Sequence, residues 1–360
     1  MALFIGSDIY RLPVFAPPHP LAIPRAALAE DLCRAMGWLP DAQYRTSPMA
    51  DMDELTAFHE PDYIAALIEA EATQTLPPEA RALYRIGADS NPIHPAVFRR
   101  PATSAGGVML AARLTAQGGI VHAPGGGNHH GQKARASGFC FVNDIALGIG
   151  TWLAQGLTRI AYLDLDAHHG DGVETAFADD ERVLTISLHE AGRWPRTGTQ
   201  HHPAQSIYNF PVPAAFNDSE FAYLFDRVIL PLIIAHEPQA IMLLPGADAL
   251  ADDPMARLAL SNHCLFHAAA ALKPLAPRLV VLGGGGYNPY SLARAWSGIW
   301  AILNDIPIPA TLPQQAADTL AGVAYFRAAG RTPPAHWLTC LRDSPNPGPV
   351  RPEILSMEIF

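Results

Sequence analysis

The sequence predicts an α/β fold with a central, mainly parallel β-sheet flanked by helices, and three observations carry that prediction. Short apolar runs of strand length alternate through the middle of the chain with Ala/Leu-rich stretches of helical character, the pattern of a sheet buried on both faces. Each run ends in a polar or Gly-rich sequence. Apolar residues make up 49% of the 360 residues against 16% charged, enough for a large core and out of keeping with disorder.

Five runs matter: residues 119–122 (GIVH), 160–163 (IAYL), 183–188 (VLTISL), 240–244 (AIMLL) and 279–282 (LVVL). At or just past their ends stand PGGGNHHG, DLDAHHGDG, HEAGRWPRTG, PGADALADDP and GGGGYNPY. In open α/β sheets ligands bind beyond the carboxyl ends of the strands, where loops converge over a rigid scaffold. Five such ends point to one shared site, and hence to a single domain over residues 1–360. Proline, 34 residues in all, is concentrated in the first hundred residues and after Asn304. These stretches are expected to be irregular segments wrapping the core.

Composition also excludes functions. The formal charge of −10, from 24 basic and 34 acidic residues, argues against a nucleic-acid partner, which needs clustered Lys and Arg to displace counterions. No basic leader precedes a long apolar run, and no uncharged apolar stretch of about 18 residues exists to span a membrane. Cys33, Cys140, Cys264 and Cys340 form no CxxC pair, the usage of a reducing compartment. A cytoplasmic protein is expected.

The segment after residues 160–163 carries the chemistry. In an extended chain Asp164, Asp166 and His168 point to one face. Carboxylates gathered at the end of an apolar strand need a cation among them. A catalytic zinc commonly takes three protein ligands and leaves a position open. Asp248 is the best third ligand, after Gly246, which lets the backbone turn. Asp252 and Asp253 precede Pro254 and are expected to start a helix.

Asn128-His129-His130-Gly131 follows a Gly-rich loop, and adjacent histidines there can be ligands, acid/base groups or merely exposed. Metal-assisted hydrolysis needs a group that takes and returns a proton, a task suited to imidazole. Each imidazole needs a carboxylate to fix its tautomer, and Asp164 and Asp171 are left over for two histidines. The glycines at 283–286 lack the context of a dinucleotide or phosphate loop. They instead let the chain pass close to the site and present Tyr287, whose phenol can bond an oxyanion. Phe139 and Trp194 can face each other as walls of an apolar slot.

Taken in order, GGGNHHG, ASGFCFVND, YLDLDAHHGDGVETAF, TISLHE, PGADALADDPM and GGGGYN resemble the histone deacetylase superfamily, and most of all its class I-like bacterial branch of acetoin-utilisation proteins. The resemblance runs from about Phe58 to Trp300. It implies an arginase/deacetylase fold with the active site at the C-terminal strand ends, and a zinc-dependent amidohydrolase with one zinc per chain. Asp166, His168 and Asp248 match the zinc ligands. His130, paired to Asp171, matches the general base and acid; His129, paired to Asp164, matches the assisting histidine; Tyr287 matches the residue that polarises the acetyl carbonyl. Gly138, Phe139, Trp194, Met255 and Gly285 match substrate-binding positions. Asp164, Asp166, His168, Ser187 and Leu188 match a monovalent-cation site, which implies potassium.

The sequence departs from the family at the rim. Trp194 stands where Phe is usual, and Pro195-Arg196-Thr197-Gly198 replaces the usual PGTG. The aspartate that grips the substrate backbone aligns with either Asp89 or Ser90. The expected substrate is acetyl-lysine in proteins or peptides. The alternatives are an acetylpolyamine or other small acetylated amine, or, in a different class, a metal-binding regulatory protein without turnover.

Overall fold

The computed structural model describes every residue except Pro13, Pro18, 326–332 and 358–360. Eight strands make one sheet: β1 (Leu3–Gly6), β2 (Tyr44–Thr46), β3 (Gly119–Ala123), β4 (Ile160–Asp164), β5 (Val183–Glu190), β6 (Ile207–Val212), β7 (Ala240–Leu244) and β8 (Arg278–Leu282). Their spatial order is β2-β1-β3-β8-β7-β4-β5-β6, and every pairing is parallel. The sheet is thus wholly rather than mainly parallel. The five runs read from the sequence are five consecutive neighbours at its centre.

Side-chain alternation explains why those runs are apolar throughout. In β4, Ala161 and Leu163 enter one core while Ile160 and Tyr162 enter the other; β7 divides likewise, with Ile241 and Leu243 opposite Met242 and Leu244. Helices Arg25–Ala35, Asn262–Leu272 and Pro289–Leu303 supply Leu32, Leu265, Trp296 and Trp300 to the first core. Helices Arg99–Leu114 and Asp144–Ala154 supply Val108, Ile145 and Ile149 to the second. Each fully buried aliphatic side chain contributes about 1.5–3 kcal/mol, so a central strand satisfied on both faces is firmly held. Firm strands make firm loop anchors.

The proline-rich N-terminal stretch is more regular than its composition suggests. It contains β1, β2 and helices Arg25–Ala35, Pro61–Thr73 and Pro78–Tyr84. Pro61 and Pro78 open their helices, where the missing N–H costs nothing and the fixed φ suits the first turn. The C-terminal stretch is nearer to expectation: three short helices (Gln314–Ala321, Ala335–Thr339, Pro352–Leu355) with Leu341 and Ile354 buried in the first core. Its 326–332 portion lies outside the described residues. Among the described residues, no helix is long and apolar enough to cross a membrane. All four cysteines are free thiols.

Candidate active site

β4 ends at Asp164, and the chain beyond it is bent by its own carboxylates. Asp164 Oδ1 accepts the Asp166 N–H at 3.0 Å, and Asp166 Oδ1 accepts the His168 N–H at 3.0 Å. On the neighbouring strand, β7 gives way to a short turn at Ala247–Ala249, and Asp248 Oδ1 accepts the Ala167 N–H at 3.0 Å. Two adjacent parallel strands therefore deliver their loops to one place. His168 Nδ1 lies 3.1 Å from Asp166 Oδ1 and 3.0 Å from Asp248 Oδ2. One ligand atom from each of these three buried residues falls within 4.8 Å of the others.

The donor set fits a divalent cation. Burial and the charge of Asp166 push Asp248 up to about 6, so the two carboxylates resist ionising side by side. Burial works against a charge on His168, yet hydrogen bonds to Asp166 and Asp248 outweigh it and push the imidazole up to about 10. The carboxylates draw positive charge strongly enough to hold a proton between them. A dication bound by three N/O ligands meets the same demand.

Two glycines beside the ligands, Gly246 and Gly285, make room rather than turns. Gly246 sits at φ −55° and ψ 123°, a conformation open to any residue, contrary to the expectation that it permits a sharp turn. A β-carbon there would stand 2.5 Å from Asp166 Oδ2, and one on Gly285 would stand 2.1 Å from Asp248 Oδ2 and 2.7 Å from Asp166 Oδ2. Gly285 also donates its N–H to Asp166 Oδ2 at 2.6 Å. Gly285→Ala is thus expected to displace two ligand carboxylates. Divalent-metal affinity, measured by chelator competition, should fall at least about tenfold, the loss that follows when the groups orienting metal ligands are disturbed.

His129 and His130 follow β3, two strands from β7. His129 Nδ1 is 2.7 Å from Asp164 Oδ2, and His130 Nδ1 is 2.7 Å from Asp171 Oδ1. In each pair the carboxylate orients the ring through Nδ1, which leaves Nε2 for the site. The rings lie 3.9 Å apart. Their proton affinities diverge. Burial disfavours a charge on His129, but Asp164 and Asp166 outweigh it and push the ring up to about 9. Burial, together with the neighbouring His129 charge, pushes His130 down to about 4 in spite of Asp171.

Tyr287 is held by a residue whose sequence context suggests another role. Asp252 and Asp253 start no helix; the next one begins at Asn262. Instead Asp253 Oδ2 accepts the N–H of Tyr287 at 2.7 Å and of Asn288 at 3.3 Å, while Oδ1 accepts that of Met255 at 2.8 Å. The buried carboxylate ties the β7 and β8 loops together. Burial and the nearby Asp248 keep the phenol of Tyr287 protonated well above its usual range. Arg25 donates from Nη1 to the Gly284 carbonyl at 2.7 Å and lies 5.9 Å from the centre of the Tyr287 ring.

Three supporting residues escaped the sequence reading. Arg25 is one. Tyr162, which donates to Asp164 Oδ2 at 2.7 Å, is another; its i, i+2 spacing from Asp164 was the available signal. The third is Asp144, buried at the start of a helix. It accepts from Asn128 N at 2.9 Å, Asn128 Nδ2 at 2.6 Å and Ser104 Oγ, fixing the loop that carries the histidines.

Above the triad a cavity is lined by His130, His168, Tyr287, Gly138, Phe139, Trp194 and Met255. Gly138 (φ 52°) and Phe139 (φ 65°) are the centre of a tight turn bridged by Ser137 and Cys140. Trp194 does not stack on Phe139. Its ring meets His130 edge-on at 4.7 Å, and it presses on Gly138, where a β-carbon would stand 2.4 Å from the indole. It is 44% exposed, and so belongs to a rim rather than a core. Of the two rim candidates, Ser90 lines this cavity, whereas Asp89 forms an ion pair with Arg85. Ser187 lies beside Asp164 in the β4–β5 register and shares a hydrogen bond of 2.9 Å with His189; the Leu188 side chain is in the core.

The chain is similar in sequence and fold to known proteins. A profile of the "Histone deacetylase domain" family matches residues 19–303. The acetoin utilization protein AcuC of Bacillus subtilis (strain 168) is 32% identical over 320 residues, 85% of this chain and 82% of that protein. Histone deacetylase 9 of Arabidopsis thaliana is 35% identical over 311 residues, 83% of this chain and 72% of that protein. The crystal structure of an HDAC homolog from Aquifex aeolicus superposes with a TM-score of 0.92 at 34% identity, covering 99% of this chain and 98% of the other. An HDAC homolog complexed with SAHA gives 0.93 at 33% identity, covering 99% and 98%. With its sheet, its buried Asp-His-Asp metal site and these relatives, the chain belongs to the histone deacetylase family and is an amidohydrolase of that family.

Proposed function

We propose that this protein is a zinc-dependent deacetylase acting on acetyl-lysine in proteins or peptides. The observation that carries the reading is the convergence of the Asp166–His168–Asp248 ligand atoms beneath a cavity lined by His130 and Tyr287. A zinc ion held by the three ligands supplies Lewis acidity to the acyl carbonyl and to water. His130, kept neutral by burial and oriented by Asp171, takes a proton from the attacking water. Water oxygen bonds to the carbonyl carbon, and the Tyr287 phenol donates a hydrogen bond to the oxyanion. When the C–N bond breaks, His130 returns its proton to the departing amine, leaving acetate and free lysine. His129, with Asp164, adds fixed positive charge beside the developing oxyanion. Gly138, Phe139, Trp194 and Met255 enclose the lysine stem. We assign potassium, as a structural ion, to the 164–168 segment with Ser187 and Leu188.

The test is acetate release from acetyl-lysine peptides and from N-acetylpolyamines, with metal content measured on the same sample. Higher kcat/KM on peptides with about one zinc per chain supports the proposal. The reverse ranking moves the protein to the small-amine class. No turnover of any acylated amine by metal-loaded protein overturns it.

A further inference from the structure

The mouth of the cavity is basic, although the chain as a whole carries a formal charge of −10. Arg193, Arg196 and Arg257 line it, against a single carboxylate, Glu190. That carboxylate is fully engaged. Arg193 donates to it from Nε at 2.5 Å and from Nη2 at 2.9 Å, and the Arg257 N–H donates to Oε2 at 2.7 Å. Arg193 also reaches the Met255 carbonyl at 2.6 Å, so it clamps the β5 loop to the β7 loop. The guanidinium groups of Arg196 and Arg257 are different. Both residues are exposed, and neither has a carboxylate within ion-pair distance among the described residues.

The opposite side of Trp194 repeats the pattern. A second cavity shares Ser90, Gly138 and Trp194 with the first and adds Arg85, Arg135 and Asp89. Asp89 is taken by Arg85, which leaves Arg135 exposed and without an acidic partner among the described residues. Three unneutralised guanidiniums thus surround the entrance, and among the described residues that line the two cavities both carboxylates, Glu190 and Asp89, are already paired. In a chain with ten more acidic than basic residues, this is a local reversal of sign. Charges at a cleft mouth select substrates by sign and raise association rates for the complementary one.

We propose that Arg135, Arg196 and Arg257 select acetyl-lysine peptides in which Asp or Glu flanks the acylated lysine. The proposal rests on the deacetylase reading above. The same rim disfavours a polyamine, whose remaining ammonium groups would face three cations and no free carboxylate. Exposed guanidinium–carboxylate pairs are individually weak, about 2- to 5-fold each, so the selection should be graded and salt-sensitive.

The experiment compares kcat/KM for three acetyl-lysine peptides of equal length, flanked by Asp, Gly or Lys on both sides, with a minimal acetyl-lysine amide as reference. At low ionic strength the Asp peptide should exceed the Lys peptide by about tenfold. The ratio should shrink well above 0.1 M salt, where the Debye length falls below about 10 Å. The double variant R196E/R257E should invert the preference, and R196Q/R257Q should bring the ratio near one. The ratio is internal to each preparation, so a partly folded variant still reports it. Equal rates on all three peptides, or faster turnover of the Lys peptide, overturns the selectivity proposal while leaving the deacetylase reading intact. No turnover of the reference amide or of any of the three peptides by metal-loaded protein overturns the acetyl-lysine deacetylase reading itself.

Discussion

His130→Ala is expected to lower kcat by about 10²–10⁴-fold, the range that a positioned general acid–base group contributes, with the capacity to bind the divalent metal retained. The reason is geometric. His130 lines the substrate cavity and is oriented through Nδ1 by Asp171 at 2.7 Å, yet it is not among the three residues whose ligand atoms converge. Removing it takes away proton transfer and spares the metal. His129→Ala should cost less, because His129 sits against Asp164 and Asp166 and in the proposed mechanism acts by charge rather than by carrying a proton. Steady-state kinetics and metal content on both variants check the contrast. Loss of metal binding from His130→Ala, or equal losses of kcat in the two variants, would remove His130 from the acid–base role.

Tyr287→Phe should reduce kcat by about 10²–10³-fold, as removal of one oxyanion donor does, with a smaller change in KM. Its backbone is held independently of the hydroxyl, by Asp253 on Tyr287 N and Asn288 N. The loop should therefore keep its place when the phenol oxygen is deleted. Burial keeps that phenol protonated, so it is a donor throughout the working pH range, and a donor matters most when negative charge develops on the carbonyl oxygen. A variant with unchanged kcat and raised KM would instead make Tyr287 a binding residue.

The central sheet was legible because a strand buried on both faces writes an unbroken apolar run. That is why the sequence located β3, β4, β5, β7 and β8 to within two residues at either end. β1 and β2 have only four and three residues, too few to show a period. β6 contains Pro211 and runs along an edge of the sheet, where proline is tolerated and the apolar signal is weak. The N-terminal helices were hidden by their prolines, which read as breakers unless the first helical position is recognised.

The sequence by itself determined the chemistry of the metal site. Asp164, Asp166 and His168 lie two residues apart just where the strand ends, and although the chain bends there instead of staying extended, each Asp accepts the N–H two residues on, so contacts local in sequence hold the segment together. Tertiary structure decided everything that depends on which strands are neighbours. β7 lies beside β4 though its first residue comes 80 positions later, and that adjacency brings Asp248 to His168. It also decided how Asp253 is used. Before a proline this aspartate reads locally as a helix start, yet the approach of the β8 loop makes it the acceptor that fixes Tyr287. The rim was decided in the same way. Asp89 and Glu190 count as two negative charges in the sequence, but Arg85 and Arg193 neutralise them in the fold and leave the entrance basic. Local periodicity fixes where a side chain points; only strand order and loop packing fix what it meets.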